Sequence, residues 1–426
     1  MTAGLRPFGV ADQLNCYFDS AAEPNNVHLE AWLPGHLDAR QLRAAVAAVL
    51  VAQPAARACR TANGRWQPTY SWRIPPAAAD PVTVTAWRTE PELDAARADF
   101  LAAAPPLDQA PPFRLLLASG PAQDSLILNA NHAAFDGHSC LVLLRMIAAA
   151  YSGSEAGPAV ARPTRTAEQA DSPTARSKPA PARPARPARA ARIASCRPDR
   201  YAPGYGFRLL SWPGVPSPPQ RHGSRPTVND LLVAALIETV ERWNAARDRR
   251  PAPVKITVPL NMRESGHEDD LGNLSAISTV IAPAPGSDRD LLAAVAAQTS
   301  RFKRLPPSGE VGTALTAMVR IPLPAQAKRG LLRLAVRCAG PVVSDTSLVS
   351  NLGNVTDPPS FGPLVPAKIW FSTTAHMPRG LSVGAITTSG RLHLCLRYRY
   401  ALLADAAAAD FADQYARVLS SLEAAQ

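Results

Sequence analysis

Between residues 161 and 200 the chain loses the apolar side chains that build a core, and that divides everything else in it. The stretch repeats Pro-Ala-Arg, most regularly at Pro181-Ala182-Arg183-Pro184-Ala185-Arg186-Pro187-Ala188-Arg189. A proline at every third position removes backbone donors, forbids helix and favours an extended polyproline II chain. With so little apolar surface to bury, such a segment cannot offset the entropy of ordering it. We read 161–200 as a solvated, disordered linker between two globular parts, 1–160 and 201–426.

The same stretch explains the charge. The 426 residues carry a formal net charge of +11, which alone would suggest nucleic acid or a membrane surface as partner. Residues 161–200 hold ten Lys/Arg against three Asp/Glu, so +7 of the total sits there and +4 on the rest. The tract has no aromatic side chains to stack on bases. We therefore expect neither a nucleic-acid partner nor membrane binding. The hydrophobic fraction of 46% excludes a collagen, a disulfide mini-protein and a wholly disordered chain. Six cysteines, at 16, 59, 140, 196, 338 and 395, form no CxxC pair. They read as core residues or free thiols of a reducing cytoplasm. No basic region followed by an apolar run opens the chain, and no apolar run is long enough to span a bilayer. The expectation is a cytoplasmic protein without a signal peptide.

Both parts mix helices and strands, so the fold class is α/β. Residues 39–52 place Leu42, Val46, Val49 and Leu50 on one helical face, with Asp38 as N-cap. Phe113–Ser119 and Ser125–Asn131 read as strands, and Ser139–Tyr151 as an apolar helix. In the second part, Thr227 to Asp230 has the form of a capping box. The helix after it aligns Leu232, Leu236, Val240 and Trp243. Val254–Leu260 and Ala276–Ala282 are strand candidates. Ser287 to Asp290 forms a second capping box, opening a helix to about residue 303. Ser389-Gly390 joins two strands as a hairpin. In the second of these, Leu392, Leu394, Leu396 and Tyr398 alternate with Arg391, His393, Cys395 and Arg397, the pattern of a half-buried strand. A terminal helix carries Phe411, Tyr415, Val418, Leu419 and Leu422.

The stretch Asn131-His132-Ala133-Ala134-Phe135-Asp136-Gly137-His138-Ser139 lies where a buried strand gives way to a helix, a place where side chains reach a sheet edge. Several chemistries fit it. His132 can be a general base near neutrality, with Asp136 fixing the loop against a cation from elsewhere and Gly137 allowing a tight turn. Gly137-His138-Ser139 can be a nucleophile elbow, although Leu141 stands where a small residue is needed. His132, Asp136 and His138 can ligate a metal, although no partner motif such as HExxH appears. A structural histidine at a strand end is the fourth reading.

His132-x-x-x-Asp136-Gly137 resembles the HxxxDG motif of the CoA-dependent acyltransferase superfamily. That group contains chloramphenicol acetyltransferase, plant BAHD acyltransferases, mycobacterial polyketide-associated acyltransferases, wax ester synthases and nonribosomal peptide condensation domains. Thr227-Val228-Asn229-Asp230-Leu231-Leu232, Val258-Pro259-Leu260-Asn261-Met262-Arg263 with Leu271-Gly272-Asn273, and Ser350-Asn351-Leu352-Gly353 are similar to further segments of its members, in order and rough spacing. The resemblance covers nearly the whole chain.

It implies two chloramphenicol-acetyltransferase-like halves meeting in a V around a tunnel. It implies that His132 takes a proton from an acceptor hydroxyl or amine attacking a thioester carbonyl, with the Gly137 N–H toward the oxyanion. Asp136 would pair with Arg263 as structural support, Asn131 and Asn351 would face substrate, and His376 is a candidate tunnel residue. The donor would be acyl-CoA or a phosphopantetheinyl carrier protein, the acceptor a small molecule, with no metal and no resident cofactor. The protein would be a free-standing monomer in natural-product biosynthesis. Asn131 stands where condensation domains have the first of two histidines, and the DFGWG segment of BAHD enzymes is missing. Two alternatives stay open: a non-catalytic docking or scaffold module, and a serine hydrolase using Ser139.

Overall fold

The computed structural model describes residues 5–61, 64, 66–153, 189–196, 202–220, 225–283, 290–304 and 316–424. In the first half these form β1 (Arg6–Pro7), α1 (Val10–Phe18), β2 (Asn26–Leu33), α2 (Ala39–Ala52), β3 (Cys59–Arg60) and β4 (Ser71–Arg73). β5 (Val82–Ala86), α3 (Glu90–Leu101), β6 (Phe113–Ser119), β7 (Asp124–Asn131) and α4 (Gly137–Tyr151) follow. The second half contributes β8 (Tyr205–Ser211), α5 (Val228–Ala245), β9 (Lys255–Asn261), β10 (Ser275–Ile281), α6 (Leu291–Arg304) and α7 (Ala325–Val343). It ends with β11 (Ser347–Val355), β12 (Lys368–Ser372), β13 (Leu381–Thr388), β14 (Arg391–Arg399) and α8 (Asp405–Ala424).

Three sheets result. A small one has the order β1-β4-β3, a five-stranded one β12-β2-β7-β6-β5, and a six-stranded one β10-β9-β11-β13-β14-β8. The amphipathic helix over 39–52 forms as expected, capped by Asp38 through the Gln41 N–H. Its Leu42, Val46, Val49 and Leu50 are buried with α4 against Leu29, Leu115, Leu126 and Leu128. Each such side chain contributes about 1.5–3 kcal/mol on burial. The Thr227 capping box also forms: Thr227 accepts from the Asp230 N–H, and Asp230 accepts from the Thr227 N–H at 2.7 Å. Ser287 lies outside the described residues, while Asp290 accepts from the Ala293 N–H at the start of α6.

Two sequence expectations change. Residues 161–188 and 197–200 of the linker segment lie outside the described residues. Residues 189–196 are instead part of the second half: Ala190, Ala191, Ile193 and Ala194 are buried, and Trp243 Nε1 donates to the Ala194 carbonyl. Arg192 donates to the carbonyls of Ser344 and Asp345. The boundary drawn at 200 therefore moves toward the N-terminus. The paired strand β14 is also buried on both faces rather than one. Arg397 is fully buried, donating to the carbonyl and side-chain oxygen of Asn26 on β2, 4.2 Å over the Tyr205 ring.

That burial follows from how the halves join. β12, though late in the chain, pairs antiparallel with β2 and completes the first sheet. A Cβ added at Gly384 of β13 would lie 2.0 Å from the Phe371 carbonyl of β12, so glycine lets the two backbones touch. Ile369, Phe371 and Ile386 enter the core of the first half. Among the described residues no helix is long and apolar enough to cross a membrane.

Candidate active site

The motif loop runs from the end of β7 to the start of α4, with Asp136 as helix N-cap accepting from the Ser139 N–H at 2.8 Å. A carboxylate suits that position, because it satisfies an open N–H and faces the positive end of the helix dipole. Its second task is longer range. Arg263, just past β9, donates Nη1 and Nη2 to the two Asp136 oxygens, each at 3.0 Å, in a fork-to-fork pair. The Leu274 N–H and Ser275 hydroxyl donate to the same carboxylate at 3.0 Å. Both charged side chains are 3% exposed or less. Burial alone would push the Asp136 carboxyl up. The Arg263 charge and the donated hydrogen bonds outweigh it and hold it below the ordinary 3.8.

The loop is fastened to the second half at further points. Asn273 donates its amide to the carbonyls of His132 and Ala133, and Gly272, at φ +146°, accepts from the Asp136 N–H. From the first half, the Asn25 carbonyl accepts from the His132 N–H at 2.9 Å. Leu271-Gly272-Asn273 entered the sequence reading only through resemblance. Its mechanical role, a clamp on the histidine backbone, needs the two halves in contact and is not legible from spacing.

His132 is half-buried, with Nδ1 3.2 Å from the Phe135 carbonyl. A carbonyl can only accept, so Nδ1 carries the proton and Nε2 keeps its lone pair. Burial lowers the pKa of the ring from 6.5, opposed by the Asp136 charge. A neutral imidazole with one nitrogen fixed and the other open can accept a proton at neutral pH. Gly137 begins α4, and a Cβ there would lie 2.6 Å from Phe371 and 3.0 Å from Leu352. Glycine thus lets the loop lie against both second-half strands. Among the described residues its N–H has no partner, as expected for the first position of a helix.

Other expected residues fall elsewhere. Asn131 does not face substrate: it is fully buried, donating to the Pro105 carbonyl and accepting from the Ala133 N–H. It shapes the turn ahead of the histidine, and a second base there would be shut inside the protein. Asn351, half-buried beside the β11 bulge, accepts from the Gly353 N–H at 2.9 Å, and among the described residues its amide nitrogen is unpartnered. His376 lies near the site, 3.3 Å from the Asn25 side chain.

The elbow reading fails on Ser139. That side chain is fully buried, and its hydroxyl donates to the Gly272 carbonyl while accepting from the Gly272 N–H and Arg263 Nη2. No lone pair is left to attack a substrate. The metal reading fails because Asp136 is spent on Arg263, and His138 Nε2 faces the Glu268 carbonyl at 3.0 Å. Among the described residues no group of three or more His, Cys, Asp or Glu side chains is placed to hold a metal ion.

Comparison with known proteins now bears on this geometry. No family model matches the chain. Rv2305, an uncharacterised protein of Mycobacterium tuberculosis, is 30% identical over 394 residues, covering 87% of this chain and 89% of that protein. The chain belongs to the family of that mycobacterial protein.

Solved structures identify the fold. The first condensation domain of the CDA synthetase superposes with a TM-score of 0.66 at 14% identity, covering 100% of this chain and 97% of that one. The condensation domain of the Monacolin K polyketide synthase MokA gives 0.65 at 11%, covering 99% and 97%. A mutant starter condensation domain of rhizomide synthetase RzmA, in complex with C8-CoA, gives 0.64 at 16%, covering 99% and 95%. The fold is therefore the paired chloramphenicol-acetyltransferase-like fold of these condensation domains.

Proposed function

We propose that this protein transfers an acyl group from a thioester to a hydroxyl or amine, with His132 as general base. One observation carries the reading: an imidazole with Nδ1 tied to a carbonyl and Nε2 open, on a loop clamped between two halves of a condensation-domain fold. Nε2 takes the acceptor proton as its oxygen or nitrogen bonds to the thioester carbonyl carbon. The negative charge gathers on the carbonyl oxygen, toward the unpaired Gly137 N–H. The intermediate collapses, the carbon–sulfur bond breaks, and the imidazolium returns its proton to the leaving thiolate. Asp136 and Arg263 hold the loop and take no part in proton transfer, and Asn351 orients substrate through its free amide nitrogen.

The donor is acyl-CoA or an acylated carrier protein, the acceptor a small molecule, and the setting natural-product assembly. Neighbours of this fold supply that context: one was solved with C8-CoA, one belongs to a nonribosomal peptide synthetase and one to a polyketide synthase. We propose a monomer with no resident cofactor, working in the cytoplasm.

A panel of acyl-CoA and carrier thioesters against alcohols and amines, read by mass spectrometry, tests the reading. We expect an ester or amide product with release of free thiol. His132→Ala, still folded, should lower turnover by about two to four orders of magnitude. No product from any pairing favours the scaffold alternative, and a fully active His132→Ala protein refutes the assigned base.

A further inference from the structure

Away from the His132 loop, a half-open cavity of about 630 Å³ lies between the small β1-β4-β3 sheet and α7. Arg60, Tyr70, Arg73, Asp108, Gln326 and Arg329 line it. Its three guanidiniums lack carboxylate partners within ion-pair distance among the described residues. Arg60 lies 5.0 Å over the Tyr70 ring, and among the described residues its guanidinium reaches only the Cys16 sulfur, at 3.7 Å. Arg329 donates one Nη2 bond to the Asp19 carbonyl, and among the described residues its buried Nε has no partner. Arg73 is exposed, and although its backbone pairs with Cys59 its side chain has no hydrogen bond or ion pair among the described residues.

Three guanidiniums against the single Asp108 carboxylate leave the concave wall net positive, and an added anion relieves the repulsion among them. A carboxylate offers two oxygens and engages one fork, whereas a phosphate offers three free oxygens to several. The space exceeds what a phosphate alone fills, leaving room for a group esterified to it beside the Tyr70 ring. We propose that this cavity binds the phosphate group of a phosphate ester, held by Arg60, Arg73 and Arg329. The site stands on charge and shape rather than on the acyl-transfer reading. If the ester belongs to the thioester substrate, its source is the nucleotide end of CoA or a phosphopantetheine arm.

Isothermal titration of the full chain with pyrophosphate, adenosine 3′,5′-bisphosphate and phosphopantetheine tests it. Binding without turnover keeps the result separate from the assignment of His132. At least one probe should bind, more weakly as salt rises. Arg60→Ala and Arg73→Ala should each raise its Kd about tenfold, the size of one lost charged hydrogen bond. Arg250→Ala, at an exposed residue outside the cavity lining, should leave it unchanged. Binding by the bisphosphate alone or by phosphopantetheine alone supports the site and names the source. Failure of all three probes overturns it, as does wild-type affinity in the Arg73→Ala protein, whose unbonded surface side chain leaves the fold untouched.

Discussion

Replacing Asp136 with alanine tests the clamp most directly. The carboxylate accepts five hydrogen bonds, from the Ser139 N–H, both Arg263 Nη groups, the Leu274 N–H and the Ser275 hydroxyl. Alanine removes the N-cap of α4, worth about 1 kcal/mol. It also leaves a buried guanidinium without its counter-charge, and breaking such a pair costs about 3–5 kcal/mol. Arg263 keeps the Asp270 carbonyl and the Asn261 side chain as acceptors, so the sum stays within about 3–5 kcal/mol rather than above it. Equilibrium urea unfolding followed by tryptophan fluorescence measures this at neutral pH. Arg263→Met should cost a similar amount, and the double variant, with no buried charge left, should cost about 0.5–3 kcal/mol less than the sum. The acid limb has a fixed sign. The folded Asp136 pKa lies below its ordinary 3.8, so the pair's contribution is complete above that value. It is lost as pH falls through the depressed folded value, and the gap between wild type and Asp136→Ala should close there. A single-variant cost under about 1 kcal/mol, or strict additivity in the double variant, refutes the buried-pair argument.

Three further outcomes follow from the same geometry. Because burial lowers the His132 pKa, kcat/KM should climb with pH along a limb centred below 6.5 and be flat at neutrality; a limb at or above 6.5 contradicts a desolvated base. Gly137→Ala drives a Cβ to 2.6 Å from Phe371, so thermal unfolding should show a loss of about 1–3 kcal/mol, partly recovered by Phe371→Leu. A fluorophosphonate probe should leave Ser139 unlabelled, and Ser139→Ala should cost about 1–3 kcal/mol of stability without removing the base; labelling at Ser139 would restore the hydrolase reading.

Much of the local structure was legible in the chain. The helix over 39–52 and the strand over 113–119 have the bounds their periodicity gives, because their apolar faces are complete within one element. Thr227 and Asp230 close their capping box for the same reason: both partners lie within one turn. The alternation in Arg391–Arg399 was equally plain, yet its polar face is buried. Periodicity tells which side chains share a face but not what covers it, and here the cover is β12 together with β2, the latter placed far away by sequence order. Asn131 misled in the same way: residue type suggested a substrate contact, while position turned it into the protein.

Sequence alone determined the local helices and strands named above and the sequestering of most of the charge in a proline-rich stretch. These follow from composition and spacing, which are properties of neighbours in the chain, whereas His132 stood out from its alternatives through the resemblance of its stretch to the HxxxDG motif. Tertiary structure alone decided which nitrogen of His132 is free, that Ser139 is saturated, that Asn273 holds the loop from across the molecule, and how the Arg263 fork meets both Asp136 oxygens. Each rests on a hydrogen bond whose geometry only folding supplies: Asp136 and Arg263 are 127 positions apart in sequence and 3.0 Å apart in space.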